Sequence, residues 1–130
     1  MIALDTNVLV RYLVQDDPDQ SFRASQLLED LSESNRAFVS CVVLCETFWV
    51  LKTSYQLPKE ALVNVLDRLF YVPVLDIEHL GSCLLALQAY TTGRADFSDY
   101  LIKSIAAHYG YPHVFTFDKT ASQSEGFVLL

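Results

Sequence analysis

The sequence predicts an α/β protein with a mainly parallel sheet, and three observations lead there. Short apolar runs of strand character recur at 2–4, 37–39, 72–75 and 114–117. Between them lie longer segments whose apolar residues return every three or four positions, the spacing of a helix with one buried face. Two of the runs, ending at Leu4 and at Phe117, stop at an aspartate. Alternating strands and helices imply crossover connections, which are right-handed and make neighbouring strands parallel. About four to five strands are expected.

The first strand, Ile2-Ala3-Leu4, has nothing charged before it and suits a position buried on both faces. Asp5 follows at the carboxyl end of that strand, where open α/β sheets place their ligands. Thr6 and Asn7 supply turn and capping oxygens, and a short helix is expected over 6–14. Asp17 reads as an N-cap with Pro18 at the first helical position, opening a helix over 18–34. Its spacing turns Phe22, Leu27, Leu28 and Leu31 toward the core. Ala37-Phe38-Val39 is the second strand, and Ser40 caps a helix running to about residue 54.

Pro58 opens the next helix, with Leu62, Val65, Leu66 and Leu69 at helical spacing. The third strand is expected at 72–75, where Pro73 argues for an edge or a strand start. A helix over 77–90 is broken by Thr91-Thr92-Gly93. Another covers 96–109 and is stopped by Gly110 as a left-handed cap with Pro112 beyond. The fourth strand, 114–117, ends at Asp118, and 127–130 adds a fifth. No repeat, low-complexity tract or linker interrupts residues 1–130, so a single domain is expected.

An apolar fraction of 52% against 19% charged residues excludes a disordered chain. No apolar run is long enough to span a membrane, and no basic-then-apolar leader opens the sequence, so a cytoplasmic location is expected. Cys41, Cys45 and Cys83 are odd in number and lie in apolar sequence, as reduced structural thiols do. His79, His108 and His113 lack the mutual spacing of a triad or a zinc site. A net charge of −7 argues against binding nucleic acid by bulk charge, unless a cation or a local basic patch intervenes.

The carboxylates carry the chemistry. Glu46 is the only charged residue between Ala37 and Leu51, with Val42, Val43, Trp49 and Val50 as its helical neighbours. Burying it without a partner would cost several kcal/mol, roughly, so a role is expected. Asp96 and Asp99 open a helix, where they fit a capping box and also the positive end of the dipole. Asp118 repeats the strand-end arrangement of Asp5. Two carboxylates about 5 Å apart repel by roughly 3 kcal/mol at an effective dielectric near 20. A set of four or five therefore calls for a cation, and oxygen donors without His or Cys favour Mg²⁺ or Mn²⁺. Thr6, Asn7, Ser40 and Thr116 are candidates to support such ligands, and each also fits a cap or strand end.

These pieces together resemble the PIN-domain nucleases, most closely the VapC-type toxins of toxin–antitoxin pairs. The matching segments are Leu4-Asp5-Thr6-Asn7-Val8, Ser40 with Glu46, Asp96-Phe97-Ser98-Asp99, and Thr116-Phe117-Asp118. The resemblance implies a three-layer α/β/α domain around a mainly parallel sheet. It makes Asp5, Glu46, Asp99 and Asp118 the catalytic acids around Mg²⁺ or Mn²⁺, with Asp96 an additional metal acid. It also implies an endoribonuclease acting on RNA, a homodimer, and a cognate antitoxin whose basic and apolar C-terminal tail enters the acidic groove. That tail would pack on Phe48 or Trp49. Two other classes compete: an acidic phosphoryl-transfer or receiver-like domain, and a non-catalytic module whose acids capture a basic partner. Asn7 stands where a haloacid-type phosphatase needs a second aspartate, which counts against the first.

Overall fold

In the computed structural model, which describes residues 1–130, six α-helices and five strands are divided between two units, 1–78 and 79–130. All strand pairing is parallel, in a three-stranded sheet within the first unit and a two-stranded sheet within the second. The α/β class and the parallel pairing are those expected.

The first unit begins with β1 (Ile2–Ala3) and α1 (Thr6–Val14), followed by α2 (Pro18–Glu29) and β2 (Ala37–Val39). Then come α3 (Cys41–Thr53), α4 (Lys59–Phe70) and β3 (Leu75–Ile77). The sheet order is β1-β2-β3, with Ile2 opposite Ala37 and Ala37 opposite Leu75. The Leu4 N–H donates to the Phe38 carbonyl at 3.0 Å, carrying β1 up to the residue before Asp5. Leu9, Leu44, Phe48, Leu51, Leu62 and Leu66 are almost wholly buried, each gaining about 1.5–3 kcal/mol over exposure.

Two elements depart from the expected bounds. The helix predicted over 18–34 ends at Glu29, because the Ser32–Asn35 turn takes over its backbone groups. Asn35 N–H bonds the Ser32 carbonyl at 2.9 Å, and the Ser32 and Ser34 hydroxyls meet at 3.1 Å. Short polar side chains of this kind compete with helix formation. Its buried face is Ser21, Ala24 and Leu28, whereas Phe22 and Leu27 are exposed. Two small residues and Leu28 thus make the buried face of α2, which packs with α1.

The third strand starts at Leu75, not residue 72. Pro73 lies in the preceding turn, since it has no N–H for the ladder. Ile77 therefore belongs to the strand, and the helix predicted from that residue starts at Leu80.

The second unit holds α5 (Leu80–Thr92), α6 (Phe97–His108), β4 (Val114–Thr116), a 3-10 turn (Ala121–Gln123) and β5 (Phe127–Leu129). The helices pack on each other around Cys83, Ala86, Phe97 and Leu101. Gly110, with φ of 89°, ends α6 in the left-handed conformation expected of it. Val114 pairs with Phe127 and Thr116 with Leu129. No disulfide joins the three cysteines, of which Cys83 is buried and Cys41 and Cys45 half-buried.

Candidate functional site

In the first unit, Asp5 is the N-cap of α1, its Oδ1 accepting from the Val8 N–H at 3.1 Å. Its extended backbone continues β1 into the helix, which is why an acid of capping type stands there. The next residue reaches much farther. The Thr6 hydroxyl donates to Glu46 Oε2 at 2.6 Å, joining the start of α1 to the middle of α3. Ser40 positions α3 by accepting the Val43 N–H at 3.2 Å on its hydroxyl. Asn7 is exposed on the first turn of α1.

Glu46 does not interrupt the buried stripe of its helix. That stripe is Leu44, Thr47, Phe48 and Leu51, while Glu46 is exposed together with Val42 and Trp49. The expected burial cost therefore does not arise. What distinguishes Glu46 is its hydroxyl partner forty positions away.

In the second unit, Asp96 and Asp99 form the capping box of α6. Asp99 Oδ2 accepts from the Asp96 N–H at 3.1 Å, and the Asp96 side chain accepts from the Asp99 N–H. Burial pushes the Tyr90 phenol up, and the negative charge of Asp96 adds to the shift. Asp118, just past β4, accepts the N–H groups of Thr120 at 2.8 Å and Ala121 at 3.1 Å on Oδ1. Thr116 supports it through the backbone, its hydroxyl accepting the Asp118 N–H at 2.9 Å.

Within neither unit are three or more His, Cys, Asp or Glu side chains gathered where they could hold a metal ion. The donor chemistry nevertheless fits a hard divalent ion, being carboxylate oxygen throughout. The capping bonds also engage one oxygen and not the other. Asp5 Oδ2, Glu46 Oε1 and Asp118 Oδ2 take no part in the bonds just described. A capping bond thus engages one oxygen of Asp5 and of Asp118 and leaves the other out of that bond.

Sequence reasoning missed a polar network around Arg11. Its Nε donates to Gln20 Oε1 at 2.7 Å, and its Nη1 to Asp16 Oδ1 at 3.1 Å and the Tyr55 hydroxyl at 3.0 Å. The Tyr55 hydroxyl in turn donates to Asp16 Oδ2 at 2.7 Å. That bond, chiefly, holds the Asp16 carboxyl below the usual carboxylate range, with Arg11 adding to it. Arg11 and Gln20 also line a cavity of about 320 Å³ with Asp5, Asn7, Arg23 and Leu27. A signal was present: Arg11 is the one cation in the apolar run from Val8 to Val14, the same reasoning that singled out Glu46.

In the second unit a cavity of about 630 Å³ is lined by His79, Ser82, Tyr100, Lys103 and His108. His79 and His108 meet edge to face at 5.7 Å, and each also meets the Tyr109 ring.

The PIN domain family model matches residues 2–125 of the chain. Among solved structures, one similar to it is Mycobacterium tuberculosis VapC20, described as a sarcin–ricin loop cleaving toxin. The two share 20% identity and a TM-score of 0.46, over 98% of this chain and 97% of that one. Among curated proteins none matches.

Proposed function

Because the chain belongs to the PIN-domain family, we propose that residues 1–130 act as one PIN domain, an endoribonuclease dependent on Mg²⁺ or Mn²⁺. In this reading the protein is the toxin of a type II toxin–antitoxin pair, acting in the cytoplasm as a homodimer or bound to its antitoxin. The observation that carries it is the Thr6–Glu46 hydrogen bond at 2.6 Å. It ties the acid of α3 to the residue beside the strand-end Asp5, so two carboxylates of distant sequence share the carboxyl end of β1. That is where parallel sheets present their functional groups.

Metal ligation is assigned to Asp5, Glu46, Asp99 and Asp118, with Asp96 adjoining. The metal would supply Lewis acidity toward a phosphodiester. Thr6 orients Glu46, and Asn7, Ser40 and Thr116 stand beside the acids or hold the backbone that carries them. The antitoxin is assigned a basic and apolar C-terminal tail. The apolar ground beside Glu46 is Val42 and Trp49, 67% and 58% exposed, whereas Phe48 at 1% is buried and offers nothing to a tail. No helix is long and apolar enough to cross a membrane.

The deciding experiment is RNA cleavage by the purified protein with Mn²⁺, with EDTA, and by Asp5→Asn with Mn²⁺. Cleavage in the first condition alone supports the proposal. Cleavage in none, with a basic peptide still bound, would favour the non-catalytic module.

A further inference from the structure

Resting on the ribonuclease reading above, the geometry points to the cavity between α1 and α2 as a subsite that holds one RNA nucleotide beside Asp5. The chain has nine Lys and Arg against sixteen Asp and Glu, so its affinity for a polyanion must be local. Two of those nine cations, Arg11 and Arg23, stand in the wall of this one cavity. At about 320 Å³ it lies at the lower end of the range for ligand pockets, roughly 300–1,000 Å³, which suits a single nucleotide.

The two arginines differ in a useful way. Arg11 is built in, because its Nε and Nη1 are held by Gln20, Asp16 and Tyr55. Its Nη2 takes part in none of these bonds and is presented in a fixed orientation. Arg23 is open, its side chain 74% exposed and paired with Asp19 only at 3.5 Å. An exposed pair of that length contributes little, so a phosphate displaces it readily.

The other walls suit the rest of a nucleotide. Leu27, which leaves the core despite its helical spacing, offers an apolar face to a base. Gln20 and Asn7 supply amide groups for a base edge. Asp5 sets the direction, since its charge directs the phosphate toward the arginines.

The test is a fluorescence-anisotropy titration of a short labelled single-stranded RNA of mixed sequence, in EDTA so that nothing is cut, at several salt concentrations. The full chain is compared with Arg23→Gln and with Arg68→Gln, an exposed cation of α4 outside the cavity. Arg23→Gln should weaken binding about 5- to 10-fold and reduce the salt slope by about 0.7, the signature of one lost single-strand phosphate contact. Arg68→Gln should change the affinity less than about twofold. With Mn²⁺ present, Arg23→Gln should raise KM and leave kcat nearly unchanged.

Equal behaviour of the two variants overturns the subsite, including the case where Arg23→Gln instead loses an acidic protein partner. If the native chain shows this binding pattern yet never cleaves, the ribonuclease reading falls and the subsite stands. If it cleaves and Arg23→Gln binds and cleaves like it, the subsite alone falls. Neither binding nor cleavage removes both.

Discussion

The Thr6 hydroxyl donates to Glu46 Oε2 at 2.6 Å, so the residue following the strand-end Asp5 fixes the orientation of the acid on α3. Glu46 is exposed and Thr6 only half-buried, so the bond adds little to stability and serves mainly to orient. Thr6→Val should lower RNA cleavage about 10- to 100-fold, as loss of a group orienting a ligand does, while the melting temperature moves by no more than about 2 °C. Thr6→Ser should retain the rate. A Thr6→Val protein that cleaves at the native rate would remove the orienting role.

Glu46→Gln keeps an acceptor for Thr6 but removes the charge. Millimolar Mn²⁺ should raise the melting temperature of the native chain relative to EDTA, because a ligand that binds only the folded state adds stability by mass action. The rise should vanish in Glu46→Gln, which should remain folded and inactive. Equal melts of the native chain with Mn²⁺ and EDTA would contradict metal binding.

Thr47, one position after Glu46, is fully buried, and its hydroxyl has no hydrogen-bond partner. A buried unpaired hydroxyl costs about 1–3 kcal/mol, and valine has nearly the same shape. Thr47→Val should therefore raise stability by about 1 kcal/mol, equivalent to some 2–4 °C in melting temperature. A lower melting temperature would show that the hydroxyl is satisfied.

The elements legible in the sequence are those whose signal is local. Asp17-Pro18, Ser40 and Asp96 each cap the helix expected of them, and Gly110 ends another. What the sequence obscured depends on contacts between elements. The helical spacing of Phe22 and Leu27 points inward, yet α2 buries Ser21, Ala24 and Leu28 and leaves those two exposed. The apolar neighbours of Glu46 suggest a stripe through its own face, whereas the buried stripe of α3 runs through Leu44, Thr47, Phe48 and Leu51. In sequence, cap and ligand are rival roles for Asp5 and Asp118. In each, one carboxylate oxygen caps and the other takes no part in that bond.

Gly93 is required for space, not for backbone freedom, since its φ of −91° suits any residue. A Cβ there would overlap the Tyr100 hydroxyl and lie 2.8 Å from the Ala89 carbonyl. That hydroxyl meets Ser124 Oγ at 3.0 Å, so it has little room to move. Gly93→Ala should cost about 1–3 kcal/mol as overpacking does, and Tyr100→Phe should restore part of it. Strict additivity of the two changes in urea unfolding would show that they do not collide.

The Asp16–Tyr55 bond predicts a pH dependence at both extremes. The Tyr55 hydroxyl, 2.7 Å from Asp16 Oδ2, holds that carboxyl below its usual range, and the same bond pushes the phenol up. For Asp16 the unfolded chain binds the proton more tightly. The stability it contributes is thus whole above about pH 4 and lost as pH falls through the lowered folded value. For Tyr55 the folded chain binds the proton more tightly. Its contribution is whole below about pH 10 and lost as pH rises through the raised folded value. Asp16→Asn should therefore be less stable than the native chain near neutrality, with the gap closing in acid and narrowing in alkali. Urea unfolding across that range measures it, and Tyr55→Phe should reproduce the acid limb. Because Arg11 is held by the same two residues, both variants should also weaken RNA binding at neutral pH. A gap that stays constant with pH would show that the bond does not shift either group.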